Sequence, residues 1–110
     1  MTRRDNLERH VSKLHADDLW VAAASGNEAA MSMHLDVGAD IESKDSNGRT
    51  LLSLAAMKGR RSVVTLLIKA GANIESQDNE GWTPLSLAVA NGHEAVTELL
   101  LNLKLWNMDP

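Results

Sequence analysis

Apolar positions recur along the chain in paired short stripes. Over 61–70 they are Val63, Leu66, Leu67 and Ala70, and over 94–103 they are Val96, Leu99, Leu100 and Leu103. This i, i+3, i+4, i+7 spacing predicts amphipathic helices. Ahead of each lies a shorter run rich in alanine and leucine, predicted helical over 50–58, with Leu52, Ala55 and Ala56 on one side, and again over 83–91. Gly59 and Gly92 break the members of each pair apart, and Gly71-Ala72-Asn73 ends the second helix and opens an extended loop. The polar stretches between pairs are turn sequences. Asp45-Ser46-Asn47-Gly48 and Asp78-Asn79-Glu80-Gly81 place an aspartate that can bond backbone amides before a glycine suited to positive φ. Thr50 and Thr83 follow as N-cap residues, and Pro84 stands where a missing N–H costs nothing.

The pairs are copies of one another. Shifted by 33, residues 45–77 fall on 78–110 without a gap, and 11 positions are identical, from Asp45/Asp78 to Leu67/Leu100. The same shift puts 12–44 on 45–77 with nine identities, mostly in the back half of the unit. The terminal units are therefore the irregular ones, as expected where a repeat stack meets water. The chain divides into a leading segment 1–15, a first unit 16–44 with a degenerate front, a second unit 45–77, and a third unit 78–110 with a degenerate end. Neither helix of a pair is long enough to be stable alone, because isolated helices below about 12–15 residues are marginal in water. Stability must come from stacking. The predicted fold class is all-α, a solenoid of stacked helix-turn-helix units with extended loops.

Composition supports this and narrows the function. Only 3% of the residues are aromatic, three tryptophans with no phenylalanine or tyrosine, so the core must be built from Leu, Ala, Val, Ile and Met. Such side chains suit closely stacked short helices better than a β-sandwich. A formal net charge of −4 gives no basic field for nucleic acid. Zero cysteines remove a disulfide frame and thiolate metal sites, and agree with a reducing compartment. No apolar run reaches the roughly 18 residues of a membrane span, and the amino end lacks the apolar part of a signal peptide. The expectation is a cytoplasmic protein, with the nucleus as the other compartment.

These residues resemble the ankyrin repeat, whose pattern is D-x-x-G-x-T-P-L-H-x-A-A, then G-H, then a V-x-x-L-L helix and G-A-x-(I/V). The third unit supplies Asp78, Gly81, Thr83-Pro84-Leu85, Ala88, Gly92-His93, Val96 and Leu99-Leu100; the second supplies Asp45, Gly48, Thr50, Leu52, Ala55-Ala56, Gly59, Val63, Leu66-Leu67, Gly71-Ala72 and Ile74. The resemblance covers residues 16–103. It departs from the pattern in four places. Ser53 and Ser86 replace the histidine, so a hydroxyl must bond back to Thr50 or Thr83. Leu51 replaces the proline. Asp17 stands as the cap of the first unit. Lys104 and Leu105 replace the closing Gly-Ala. The ending, Leu103 to Pro110, leaves two expectations open: Leu105 and Trp106 fold over the open end, or further units follow. Leu7, Val11 and Leu14 predict a short helix over 1–15 that covers the first unit, with a free arm as the rival reading.

Candidate chemistry is sparse. His10 and His15 are five apart, off the one-face spacing of a two-histidine metal site. His93 falls on the Gly-His position, where the resemblance implies bonding to the neighbouring loop. His34 takes the slot of Leu67 and Leu100, which predicts a half-exposed imidazole on a terminal helix. Glu42 and Glu75 repeat at the same position and are expected to form a solvated acidic row. No nucleophile, base and orienting group come together at recognisable spacing. The expectation is no catalytic residue, no metal and no cofactor.

The resemblance implies a concave binding face made by loop tips and the outward side of each first helix. Carried across, the partner-binding residues are Lys44, Ser46, Asn47, Arg49, Met57, Lys58, Gln77, Asn79, Glu80, Trp82, Ala90 and Asn91, with Ala24 and Ser25 from the first unit. Trp82 is the expected anchor, since tryptophan and arginine dominate binding hot spots, with an indole that lies over its own loop and shields the turn as the rival reading. The leading expectation is a non-catalytic module that binds another protein, as a monomer or a weak homodimer through the C-terminal end. A regulatory subunit or inhibitor of an enzyme is the alternative, and a small metal-dependent hydrolase using the histidines comes third.

Overall fold

Alanine-rich first helices and leucine-rich second helices sort into two layers. The computed structural model describes residues 16–108, with side chains from 19 to 105. Within these residues there are six helices: α1 (Ala16–Ser25), α2 (Glu28–Asp36), α3 (Leu51–Met57), α4 (Arg61–Lys69), α5 (Pro84–Ala90) and α6 (Glu94–Met108). No strand occurs among the described residues, only an isolated antiparallel bridge between Lys44 and Thr50. The helices pair as α1 with α2, α3 with α4, and α5 with α6. First helices α1, α3 and α5 pack side by side, and α2, α4 and α6 form the row behind them. The leading segment 1–15, with His10 and His15, lies outside the described residues.

Helix starts follow the sequence reading. Thr50 and Thr83 are extended N-caps whose Oγ1 atoms accept from the N–H groups of Ser53 and Ser86, each at 3.1 Å. The two serine hydroxyls complete the contact, 3.1 Å from Thr50 Oγ1 and 2.9 Å from Thr83 Oγ1. A hydroxyl thus replaces the imidazole of the family pattern, and Leu51 still begins a capped helix. Asp17 differs from its expected role. Helix α1 is already running at Ala16, so Asp17 lies inside it and not at its cap. Asn27 is the side-chain cap found in the first unit, its Oδ1 taking the Ala30 N–H at 3.1 Å.

The core lies between the layers and between the units. Ala22, Ala23, Ala55, Ala56 and Ala88 are buried on the first helices, where small side chains allow close approach, and Met31, Val63, Val64, Leu67, Val96 and Leu100 fill the space behind. Leu66 and Leu99 pack against this core but are only half-buried. Ala70 is exposed, in contrast to its expected inward position: it is the C-cap of α4, where the chain is already leaving the helix. Helix α6 is longer than expected. With Lys104-Leu105 in place of Gly-Ala, nothing ends it at 103, and it continues to Met108. Leu105 is 62% exposed, so it does not fold over the open end, and the Trp106 side chain lies outside the described residues.

His34 is a second departure. It is 1% exposed, fully inside the row continued by Leu67 and Leu100, and its Nε2 is buried without a hydrogen-bond partner. Stacking by the second unit covers a position that looks terminal in the sequence. An orphaned buried polar atom costs about 1–3 kcal/mol. His34→Leu, which restores the side chain of the other two units, is therefore expected to raise stability by about 1–3 kcal/mol. Urea denaturation checks this through a higher midpoint at unchanged slope; an equal or lower midpoint would show that the imidazole is stabilising in place.

Candidate functional site

The loop tips are rigid because an aspartate organises each. Asp45 Oδ1 accepts the N–H groups of Asn47 and Arg49, both at 2.9 Å, and its own N–H donates to the Arg49 carbonyl at 3.0 Å. One unit later Asp78 repeats the arrangement: Oδ1 accepts from Glu80 at 2.9 Å and Trp82 at 2.8 Å, and its N–H donates to the Trp82 carbonyl at 2.9 Å. Gly48 and Gly81 close the two turns at φ of 78° and 86°. Both loops are thus tight hairpin-like fingers built by the same three bonds.

The fingers also bond to one another. The Asn79 N–H donates to the Asn47 carbonyl at 2.9 Å, and its Nδ2 donates to the Ser46 carbonyl at 3.1 Å. Asn79 lies so close over Gly48 that a Cβ there would collide with it. Arg49 Nε stands 3.5 Å from Asp78 Oδ2, an ion pair whose N–H does not aim well enough at the oxygen to form a hydrogen bond. Asp78 itself is buried, which works against its charge. The N–H donors of Trp82 and Glu80 and the neighbouring Arg49 more than offset this and hold its carboxyl below the ordinary value of 3.8. A depressed folded-state value stabilises the fold fully above pH 3.8 and loses that contribution as the pH drops through the lower value.

The expected binding residues therefore fall into groups. Ser46, Asn47, Arg49 and Asn79 sit together at the finger tips, but Arg49 is half-buried in its ion pair and Asn79 spends its amide on the neighbouring finger. Lys44, Gln77, Glu80 and Trp82 are exposed beside them. Met57, Lys58, Ala90 and Asn91 lie at the far ends of the first helices, as the last residues and C-caps of α3 and α5. Helices of seven residues separate the two groups, about 10 Å at 1.5 Å per residue. Of this far group Met57 is half-buried and the other three are exposed, with Asn91 Nδ2 donating to the Leu87 carbonyl at 2.8 Å. Ser25 is exposed, and Ala24 is half-buried with its carbonyl taken by Arg60 Nε at 2.8 Å.

Trp82 is 39% exposed although its backbone N–H and C=O are both held by Asp78. A large indole on a fixed stalk loses little conformational freedom when a partner covers it. The turn-organising role of Asp78 was legible in the sequence; what sequence reasoning missed is that its carboxylate also pairs with Arg49 of the neighbouring finger.

Among the described residues, the other titratable groups singled out by the sequence are structural or solvated. The His93 ring lies directly against Gly59 of the preceding unit. Glu42 and Glu75 do not form the free acidic row expected. Glu42 Oε2 accepts the Asn73 N–H of the next loop at 2.7 Å, and Glu75 faces Lys104 at 3.9 Å. Among the described residues no three His, Asp or Glu side chains gather as metal ligands. No helix among them is long and apolar enough to cross a membrane. A family model described as ankyrin repeats (3 copies) matches residues 19–109. No curated protein matches the chain.

Proposed function

The chain belongs to the ankyrin repeat family, and from that membership we propose that it is a non-catalytic module that holds a partner protein on its finger loops and first-helix ends. Ankyrin repeats are in general protein-interaction modules. Exposure of Trp82 on a finger fixed by Asp78 carries the assignment to this face. The indole supplies apolar area, Glu80 and Gln77 beside it supply polar bonds, and Lys44 and Lys58 add positive charge in an otherwise acidic chain. Mixed charge of this kind suits recognition by shape, an aromatic anchor and a few hydrogen bonds, without strong steering. The two groups of residues lie about one short helix apart. A partner must therefore span roughly 10 Å along the first helices to touch both.

Trp82→Ala is the direct test. The indole contributes little to the core, so the variant is expected to unfold at the same denaturant concentration as the parent. Its affinity for a partner recovered by pull-down and identified by mass spectrometry should fall by about 2 kcal/mol or more, roughly thirtyfold in Kd. Calorimetric titration of parent and variant with that partner reads the difference. Equal affinities would remove Trp82 from the binding surface and with it the present assignment of the face.

A further inference from the structure

Charge is sorted by unit. Residues 16–44 hold one lysine or arginine against six acidic residues, 45–77 hold five against two, and 78–110 hold one against five. A basic middle unit therefore lies between two acidic ones. Within it Lys58, Arg60 and Arg61 fall at the turn that joins α3 to α4, as the C-cap of α3, the N-cap of α4 and the first residue of α4. All three are exposed. Three residues of chain bridge at most about 11 Å, so the cations share one small patch. The matching turns carry Ser25, Asn27 and Glu28 in the first unit and Asn91, His93 and Glu94 in the third.

These cations are not spent inside the fold. The ion pairs among the described residues join Arg49 to Asp78 and Lys104 to Glu75, and neither involves this turn. Arg60 is nevertheless held in place. A Cβ on Gly26 would stand 3.0 Å from its Cδ, and its Nε donates to the Ala24 carbonyl at 2.8 Å. No acceptor among the described residues takes its two terminal nitrogens. The guanidinium fork is thus fixed, with little conformational freedom left to lose when a carboxylate meets it.

The flanks set the width of the occupant. Glu28 and Glu94 stand at the Arg61 position on the helices to either side, about 8–10 Å away. A nucleic-acid duplex or an anionic lipid surface extends past that distance and would press negative charge against both glutamates. A short acidic stretch of polypeptide does not. Its alternate side chains repeat about every 6.6 Å, so two carboxylates span the patch. The Debye length at physiological salt is about 8 Å, so the acidic units alongside leave the attraction to act only at contact.

We propose that the turn 58–61 docks a short acidic segment of the partner protein, with one carboxylate on the terminal nitrogens of Arg60 and a second shared by Lys58 and Arg61. This docking rests on the reading of the chain as a partner-binding module, and it gives the far group of that surface, to which Lys58 belongs, its own ligand chemistry.

The test titrates hexaglutamate into the nitrogen-15-labelled full chain at about 0.1 M salt, where the Debye length is about 10 Å, and follows the amide and Arg60 Nε–H signals by NMR. Saturable shifts centred on 58–61, with a Kd of about 1 mM or below, are expected, and none with hexaglutamine. Lys58→Gln combined with Arg61→Gln should weaken binding about tenfold. Arg60→Lys, which keeps the charge and loses the fork, should weaken it about threefold. Lys69→Gln removes a charge about 12 Å along α4 from Arg61 and should change the Kd by less than about 1.5-fold. Trp82→Ala should leave hexaglutamate binding as it is, so failure here and failure of the finger-loop reading are distinguished. Absence of saturable shifts, shifts centred elsewhere, or a loss with Lys69→Gln equal to that of the double variant overturns the assignment. Tighter binding of oligothymidylate or of phosphatidylserine vesicles at the same amides assigns the turn to nucleic acid or lipid and overturns it too. Shifts at 58–61 that grow with protein concentration alone assign it to a second copy of this chain, with the same consequence.

Discussion

Leu67→Ala lowers the stability of the stack by about 2–5 kcal/mol, the cost of a large-to-small change where the core cannot collapse around the gap. Leu67 is completely buried on α4, the middle member of the outer row, with α2 on one side and α6 on the other. Its loss therefore removes contacts at both unit boundaries. Repeat proteins draw their stability from such nearest-neighbour interfaces, so the middle unit is the most damaging place for a cavity. Equilibrium urea denaturation reads the change directly. A variant as stable as the parent would mean that the leucine row is not the core. The same truncation at Leu105, 62% exposed, should change stability by less than about 0.5 kcal/mol.

Gly59→Ala is expected to cost about 2–4 kcal/mol, from two causes that can be measured separately. The first is local. Gly59 has φ of 73°, where an L-residue other than glycine carries about 1–3 kcal/mol of strain. The second is tertiary. A Cβ there would stand 2.5 Å from Nδ1 of His93 and 2.7 Å from the ring carbon Cγ, closer than real Cβ contacts come. Gly92 is the internal control, with φ of 72° at the same place in the next unit and nothing within 4 Å. Gly92→Ala should show the backbone cost alone, so the difference between the two variants isolates the packing of His93 on the preceding unit. Equal losses at both sites would mean that the ring moves aside freely.

Much of the architecture was legible before any coordinates. The helix pairs, their threonine caps, the serine hydroxyls in place of histidine and the leucine row all follow from local pattern plus a fixed period. Four of the misreadings share one cause: each depended on what the neighbouring unit does. His34 looked half-exposed on a terminal helix and is sealed. Glu42 looked solvated and accepts a backbone N–H from the next loop. Asn79 and Arg49 looked free for a partner and are partly engaged with the adjacent finger. The end of α6 was also misplaced, because Lys104 and Leu105 leave the helix without a stop signal and the sequence reading carried the period past its last intact copy.

From the candidate site, the sequence supplied the organising role of the aspartates and the expectation that Trp82 is the anchor. It did not supply the split of the surface into two groups at opposite ends of the first helices. That split depends on how far seven helical residues reach, and on which tip residues the stack consumes. Nor did it single out Arg60. An arginine in the slot of Asn27 and His93 reads as one more surface charge until the Ala24 carbonyl is seen to hold it in place beside Gly26.

By itself, the order of residues determined the repeat, its period, the caps and turns within each unit, and most of the side chains that face inward. These are short-range matters, decided by backbone preferences and by the periodicity of apolar residues. Tertiary structure alone decided which polar groups remain available and which are spent on a neighbouring unit. Those outcomes belong to the boundary between units, where one chain segment satisfies or buries what another presents, and no single unit contains both sides of that contact.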